Sequence, residues 1–193
     1  MTAHAGTDGV GVVPPRIPRQ QAEEPAVGAP PDNDAGVSAE LAAVVSGARR
    51  RSVRDGDRQI DTAHLLHSLL EHDPEVRAVF DDGAEIARLL GYLVQRSIGY
   101  GLRWQGSVED SGAVPVVREA EGYSPLAAEA MQCAAARAAR RDGGAALGLD
   151  LLAAIVADPQ ARAVEVLDRA GIDRHEVLAR VEDRLVRPGW SGR

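Results

Sequence analysis

DPEVRAV (residues 73–79) and DPQARAV (residues 158–164) are nearly the same seven letters, and they stand 85 residues apart in a chain of 193. The sequence before them agrees as well. AHLLHSLLEHDP (residues 63–74) leads into the first copy and LDLLAAIVADP (residues 149–159) leads into the second, with Leu65 and Leu151 86 residues apart. A pattern that recurs at a fixed distance is the signature of an internal repeat. The chain therefore holds two copies of one unit of roughly 60 residues.

Apolar residues in both copies recur at the spacing of an amphipathic helix. In the first copy the apolar stripe is Leu41, Val44, Val45 and Ala48. In the second copy it is Ala127, Ala130, Met131 and Ala134. Each stripe follows a candidate N-cap, Ser38 or Ser124. Because aromatic residues make up only 3% of the chain, the core is built from Ala, Leu and Val. These features predict an all-α fold.

A second, more apolar helix is predicted in each copy. Its expected core positions are Leu65, Leu66, Leu69, Leu151, Leu152 and Ile155. A further helix begins at a capping-box spacing, Asp82 with Glu85 and Asp173 with Glu176. Ahead of that spacing the second copy has EVLDRAGI where the first has FD, so the first lacks about one and a half turns. We expect the copies to pack on each other, because each is near the size limit for an independent core.

Composition sets the boundaries of the predicted domain. Segments rich in Pro, Gly and Asp bury too little apolar surface to offset the entropy of ordering, so the start of the chain is predicted to be a disordered tail. The predicted parts are a tail over 1–36, a domain over 37–186 with repeat 1 at 38–96, a linker at 97–122 and repeat 2 at 123–186, and a C-terminal tail over 187–193. Within the linker, alternation from Ile98 to Trp104 fits either a short strand or a Gly-rich loop.

Charge and composition exclude several classes of function. The formal net charge is −7, which disfavours nucleic acid and anionic membranes as partners. All 22 basic residues are Arg, and the absence of lysine excludes a P-loop and Schiff-base chemistry. A single cysteine forms no internal disulfide, and no signal peptide or spanning segment is evident. We therefore expect a cytoplasmic, non-enzymatic protein without a cofactor.

The histidine-rich second helix of the first copy is a weak candidate for a metal site. His64, His67 and His72 lie near Asp61 and Glu71. The leucines of that helix must face the core, however, and no second cluster of ligands is apparent. Solvated or capping histidines, with no metal, are therefore expected.

Cys133 and the arginine runs have ordinary structural interpretations. Cys133 stands in an Ala-rich helix and is expected to be packed rather than to act as a nucleophile. The arginine runs at 49–51 and 140–141 end predicted helices, where the helix dipole favours cations. Nucleic-acid binding through these runs is therefore not expected.

The repeated pattern resembles the Clp repeat domain, the N-terminal domain of Clp-type AAA+ unfoldases, especially the C type. Tyr123-Ser124-Pro125 is similar to the aromatic-Thr-Pro that opens the family's second repeat, and His-Leu-Leu at 64–66 and Asp-Leu-Leu at 150–152 match its helices. The similarity spans about 38–186. It implies two four-helix motifs related by pseudo-twofold symmetry, in a stand-alone version without the ATPase module.

The resemblance also implies a binding function in the Clp protease system. Partners would be the unfoldase, its adaptors or substrates, or the hydrophobic cyclic peptides that target it, bound in competition with the unfoldase's own domain. The implied contact residues are Tyr123, Ser46, Gln132, Ser38 and Ser124. The alternative is a regulatory interaction domain unrelated to proteolysis, since a fold does not fix a function.

Phosphoarginine, the degradation tag read by some relatives, is not an expected ligand. In those relatives a Glu in the Gly-Thr-Glu-His-type signature binds it, together with a Thr at the start of each repeat. The matching stretches here are Asp61-Thr62-Ala63-His64 and Leu147-Gly148-Leu149-Asp150, so Ala63 and Leu149 replace the carboxylates. A guanidinium group needs an anionic acceptor. We therefore expect weak phosphoarginine binding or none.

Overall fold

The computed structural model describes residues 1–2, 36–80, 83–97, 109 and 122–186. Residues Asp32–Arg193 form one compact unit, and Met1–Pro31 are assigned to another. The predictions for the tails, for the alternating segment from Ile98 to Trp104 and for the cap at Asp82 fall outside the described residues.

The described residues form helices, and the predicted all-α fold is confirmed. The helices are α1 Ala39–Asp55, α2 Thr62–His72, α3 Pro74–Arg77, α4 Gly83–Ser97, α5 Pro125–Arg141, α6 Gly148–Ala157, α7 Arg162–Arg169 and α8 Arg174–Val186. None of these described helices combines the length and the apolar character needed to cross a bilayer.

The predicted helix ends follow from capping chemistry. Ser38 Oγ accepts a hydrogen bond from Leu41 N at 3.1 Å, and Ser124 Oγ accepts one from Ala127 N at 3.2 Å, so both serines are N-caps. Gly56 ends α1 with φ 75°, a left-handed conformation that favours glycine. Asp61 caps α2, with His64 N donating to its Oδ1 at 2.9 Å. These local signals are short-range, which is why the sequence predicts them well.

The core is formed by the predicted apolar stripes. The six positions predicted for α2 and α6 are at most 1% exposed. Leu41, Val44 and Ala48 of α1 are fully buried, as is Ala134 of α5. Helix α1 packs on α2 and α5 packs on α6, while α2 also contacts α5, α6 and α7. Most of the contacts between the two halves of the sequence therefore involve α2 or α6, and α4 packs on α7 in addition.

Two short backbone bridges join the halves in a reciprocal way. Val37 pairs in parallel with Ala146, and Ile60 pairs in parallel with Tyr123. Each bridge therefore links the start of one half to the segment before the second helix of the other half. Tyr123 lies 86 residues after Val37, and Ala146 lies 86 residues after Ile60, the same offset as in the sequence repeat.

The halves also differ, where the sequence predicts a shorter first copy. Helix α3 has 4 residues and its counterpart α7 has 8. Because an α-helix rises one turn in 3.6 residues, this difference is about one turn. The remaining pairs have similar lengths, 17 and 17 residues for α1 and α5 and 11 and 10 for α2 and α6.

Candidate functional site

A buried polar cluster lies where the starts of α2, α5 and α7 meet. We call it the seam cluster, and its members are Asp61, Thr62, Arg96, Glu109, Ser124 and Arg162. It is positioned by the Ile60–Tyr123 bridge, which brings the N-cap of α5 beside the N-terminus of α2. Exposed backbone N–H groups at helix starts favour anions, and the cluster satisfies them with carboxylates.

The Glu109 carboxylate is the centre of the seam cluster. It accepts hydrogen bonds from Thr62 N at 2.9 Å, from Arg162 N at 2.7 Å and from Ser124 Oγ at 2.7 Å. The hydroxyl of Thr62 also donates to it, and Ala163 N donates to that same hydroxyl at 3.1 Å. Glu109 is only 4% exposed. One carboxylate from outside these helices thus links three helix starts.

Asp61 forms the second anionic centre. Its Oδ2 accepts hydrogen bonds from Arg162 Nη1 at 2.8 Å and from Arg96 Nη2. Burial by itself would raise the pKa of Asp61, but the guanidinium groups of Arg96 and Arg162 beside its carboxylate outweigh it and hold the pKa below the usual value of 3.8. Asp61 is therefore ionised at neutral pH. The two guanidinium groups thus lie against the buried charge of Asp61.

His64 belongs to this network as a capping residue rather than a metal ligand. Its Nδ1 accepts a hydrogen bond from Asp61 N at 3.1 Å, and its Nε2 lies 3.2 Å from Asp57 Oδ2. Candidate ligand atoms of Asp57, Asp61 and His64 lie within 4.8 Å of one another. Arg96, however, donates to Oδ2 of both carboxylates, at 3.0 Å to Asp57. The guanidinium group of Arg96 thus occupies the position between the two carboxylates that a metal ion would have to take.

The other two histidines of α2 behave differently from each other. His72 is exposed, as the prediction of solvated histidines requires. His67 is 4% exposed and does not fit that prediction. Burial, reinforced by the charge of Arg51, lowers the pKa of His67 from 6.5 to about 4. His67 is therefore a neutral, packed side chain at physiological pH.

Among the predicted partner-binding residues, Ser124 and Tyr123 are buried. Ser124 is 1% exposed and its hydroxyl donates to Glu109. The hydroxyl predicted to contact a partner is therefore already hydrogen-bonded within the protein. Tyr123 is 8% exposed and its ring belongs to the hydrophobic core. The Ile60 bridge draws this segment inward. That Tyr123 contacts a partner stays a prediction, and little of its ring is accessible in this structure.

The remaining predicted residues lie on the surface. Ser46 on α1 and Gln132 on α5 are exposed, and Ser38 is half-buried at the start of α1. The structure therefore brings Tyr123 and Ser124 together at the seam and leaves Ser46 and Gln132 on the outer faces of their helices. Ala63 and Leu149, where the resemblance places carboxylates, are fully or almost fully buried.

An open groove adjoins the seam cluster through Thr62. It has a volume of ≈ 400 Å³ and runs between α5, α6 and the turn before α7. We call it the α5–α6 groove, and it is lined by Thr62, Leu126, Glu129, Ala130, Cys133, Ala154, Ile155, Ala157, Asp158, Pro159 and Ala161. Its volume is within the range of ligand-binding pockets.

The expectation that Cys133 is packed is wrong. The thiol is exposed and lines the groove. The reason is visible in the first half, where Gly47 takes the place of Cys133 and His72 takes the place of Ala157. A Cβ at Gly47 would overlap Ser68 Oγ and lie 3.2 Å from the His72 ring, so these two side chains close the contact between α1 and α2. In the second half the methyl group of Ala157 leaves the equivalent space open.

The arginine runs are partly engaged within the protein. Arg51 pairs with Glu71 at 2.6 Å, and Arg141 pairs with both oxygens of Asp150 at 2.5 and 2.6 Å. Their neighbours Arg49, Arg50 and Arg140 are exposed.

Sequence reasoning missed Glu109 and the groove. Glu109 lies 47 residues from Thr62 and 53 from Arg162, and the acidic residues of this Gly-rich segment have no periodic or spacing signal that singles out Glu109. The groove results from small side chains at aligned positions. Comparison of the two repeats at Gly47, His72, Cys133 and Ala157 is the signal that would have revealed it.

Comparisons with known proteins show similarity in fold. No protein-family model matches the chain, and no curated protein matches it. Among solved structures, the chain is similar to one described as "Preliminary structural investigations of a malarial protein secretion system". The match covers 78% of this chain and 95% of that chain, with 13% sequence identity and a TM-score of 0.56. At this identity the similarity shows a shared fold.

Proposed function

We propose that the chain is a non-enzymatic, cytoplasmic binding module of the Clp protease system. It captures adaptors, substrates or unfoldase-targeting cyclic peptides in competition with the N-domain of a C-type unfoldase. The observation that supports this most is the pair of reciprocal bridges, Val37 with Ala146 and Ile60 with Tyr123, at the offset of the sequence repeat. A domain of two reciprocally joined helical motifs is the architecture that the sequence resemblance implies.

The surface of the first helices is where a partner would bind. Ser46 and Gln132 stand 86 residues apart, at matching positions of α1 and α5, and both are exposed. Tyr123 contributes less accessible area, because its ring is only 8% exposed.

Phosphoarginine fits the seam less well than a protein surface or a cyclic peptide. The Ser124 hydroxyl donates to Glu109, so a phosphate group there would meet a buried negative charge. The positions matching the family's guanidinium-binding acids are the apolar Ala63 and Leu149. This geometry adds a physical reason to the expectation of weak phosphoarginine binding or none.

The test is a pull-down of the host's Clp unfoldase, adaptors and peptidase with the full chain, followed by titration of the partner found and of an unfoldase-targeting cyclic peptide. Gln132→Arg should weaken binding about tenfold, because it places a bulky cation on the contact face. Gln95→Arg is the matched control, since Gln95 is also exposed but lies on α4. Absence of binding by the unaltered protein at high micromolar concentration would contradict the proposal. The regulatory role outside proteolysis would then be favoured.

A further inference from the structure

The α5–α6 groove has a floor of small apolar side chains. Ala130, Ala154, Ala157 and Ala161 line it together with Leu126 and Ile155. Methyl groups at these positions leave room above them and present an apolar surface. Burying apolar area from a partner's side chain in such a space is favourable by about 25 cal/mol per Å². The groove therefore suits an aliphatic side chain.

The charged residues that line the groove, Glu129 and Asp158, are both acidic and form its rim. Glu129 is exposed on α5, and Asp158 is half-buried in the turn after α6. Gln160 N donates to Asp158 Oδ1 at 2.8 Å, which holds that carboxylate at the rim. None of the eleven lining residues, all within the described part of the chain, is Arg, Lys or His. Charge complementarity therefore favours a cationic group beside the apolar one.

We propose that the α5–α6 groove binds a short peptide segment of a partner protein in which an aliphatic residue adjoins an arginine or lysine. The aliphatic side chain lies on the alanine floor, and the cation pairs with Glu129 and Asp158. This inference names the chemistry of one segment of the partner and so deepens the proposed function. It rests on the proposed function only in that it takes the chain to bind proteins. The groove and the Ser46–Gln132 surface share helix α5, because Gln132 is adjacent in sequence to the groove residue Cys133.

Cys133 provides a direct reporter of occupancy. It is the sole cysteine of the chain, it is exposed, and it lines the groove. The rate at which iodoacetamide alkylates the full-length protein therefore measures access to the groove at a single atom. A bound peptide covers the thiol and slows the reaction.

The probe is a synthetic ten-residue peptide that alternates leucine with arginine. It should slow alkylation of Cys133 about tenfold at saturation and bind with a calorimetrically measurable affinity. A peptide alternating leucine with glutamate tests the charge, and one alternating serine with arginine tests the apolar contact. Neither should protect the thiol. Equal protection by either control peptide would overturn the proposal.

Matched variants locate the binding on the protein. Glu129→Lys should weaken binding of the leucine–arginine peptide about tenfold by reversing one rim charge. Asp168→Lys makes the same charge change at an exposed position of α7 outside the groove and should leave affinity unchanged. Equal weakening by both variants would show non-specific attraction to an acidic protein and would overturn the proposal.

The outcomes separate this inference from the proposed function. If the chain binds Clp partners while Cys133 stays fully reactive with the leucine–arginine peptide, the groove assignment fails and the proposed function stands. If the peptide protects Cys133 but no Clp partner binds, the groove assignment stands alone. Protection that rises with protein concentration in the absence of peptide would identify a second copy as the occupant and overturn the proposal.

Discussion

The carboxylate of Glu109 accepts four buried hydrogen bonds, and no local pattern in the sequence around Glu109 indicates this. Its carboxylate accepts from the backbone N–H groups of Thr62 and Arg162 and from the hydroxyls of Thr62 and Ser124. Replacing one partner of a buried, charged hydrogen bond leaves the others unsatisfied, which costs more than the bond itself contributes. The stability of the seam therefore depends on this one side chain.

Glu109→Gln should lower the free energy of unfolding by about 2–4 kcal/mol, because the amide NH₂ faces donors that an oxygen satisfied. Chemical denaturation followed by circular dichroism measures the change. Asp168→Asn removes a charge from an exposed residue and serves as the control, with an expected effect within about 0.5 kcal/mol. A loss under about 0.5 kcal/mol for Glu109→Gln would show that the seam does not rely on this carboxylate.

The lowered pKa of His67 makes the stability of the folded protein depend on pH. Its pKa is about 4 in the folded protein and near 6.5 in the unfolded chain, so the unfolded state binds more protons between these values. The free energy of unfolding should therefore fall as pH drops from 6.5 towards 4, by up to roughly 3 kcal/mol from this residue. The lowered pKa of Asp61 affects stability only below pH 3.8, outside the range from 6.5 to 4. The raised pKa of Asp73 opposes the fall in the free energy of unfolding near the lower end of that range.

Comparison of the unaltered protein with His67→Gln isolates this contribution. The difference in unfolding free energy between the two proteins should change with pH across that window, as measured by urea denaturation at several pH values. His175→Gln, at an exposed position, should leave the pH dependence as it is. A parallel pH dependence in His67→Gln and the unaltered protein would rule out His67 as the source.

At the scale of elements, two glycines allow helices to approach closely. A Cβ at Gly47 on α1 would overlap Ser68 Oγ, which donates to Val44 O at 2.7 Å. A Cβ at Gly148 on α6 would overlap the carboxylate of Asp73, whose Oδ1 caps α3 by accepting from Glu75 N at 2.9 Å. Both contacts join elements that are distant in sequence. The periodic apolar pattern that predicts the helices contains no information about these contacts.

Alanine substitution separates close packing from helix propensity. Gly47→Ala and Gly148→Ala should each cost about 1–3 kcal/mol, because the added methyl group must displace a packed side chain. Gly91→Ala on α4 meets no atom within 4 Å and should instead stabilise by about 0.5–1 kcal/mol, since alanine is the better helix former. Thermal and urea denaturation measure all three. Stabilisation by all three substitutions would contradict the packing described here.

The elements themselves were predictable from the sequence because their signals are local. Ser38 and Ser124 cap helices as expected, and the leucines of α2 and the second-half positions Leu151, Leu152 and Ile155 are buried as expected. The site was much less predictable. Glu109 acts over long range, Tyr123 is drawn into the core by the Ile60 bridge, and Cys133 is exposed because Ala157 leaves space beside it.

At the scale of the whole molecule, the two halves depend on each other. Each half is near the lower size limit for an independent core, and its first helix begins at a bridge to the other half. Glu109 adds a connection between the two halves of the sequence, since it joins Thr62 of the first half to Ser124 and Arg162 of the second. We therefore expect the described unit to unfold as one cooperative domain rather than as two.

Native-state hydrogen exchange tests this reciprocal closure most directly. Ser38 N donates to Ala146 O at 2.9 Å and Ala146 N to Gly36 O at 2.8 Å, while Ile60 N donates to Gly122 O at 2.6 Å and Ser124 N to Ile60 O at 2.8 Å. We expect these four amide protons to exchange with one opening free energy, equal to that of global unfolding. The contrary result is exchange of one bridge at least about 2 kcal/mol more easily than the other, which would show that the halves open separately.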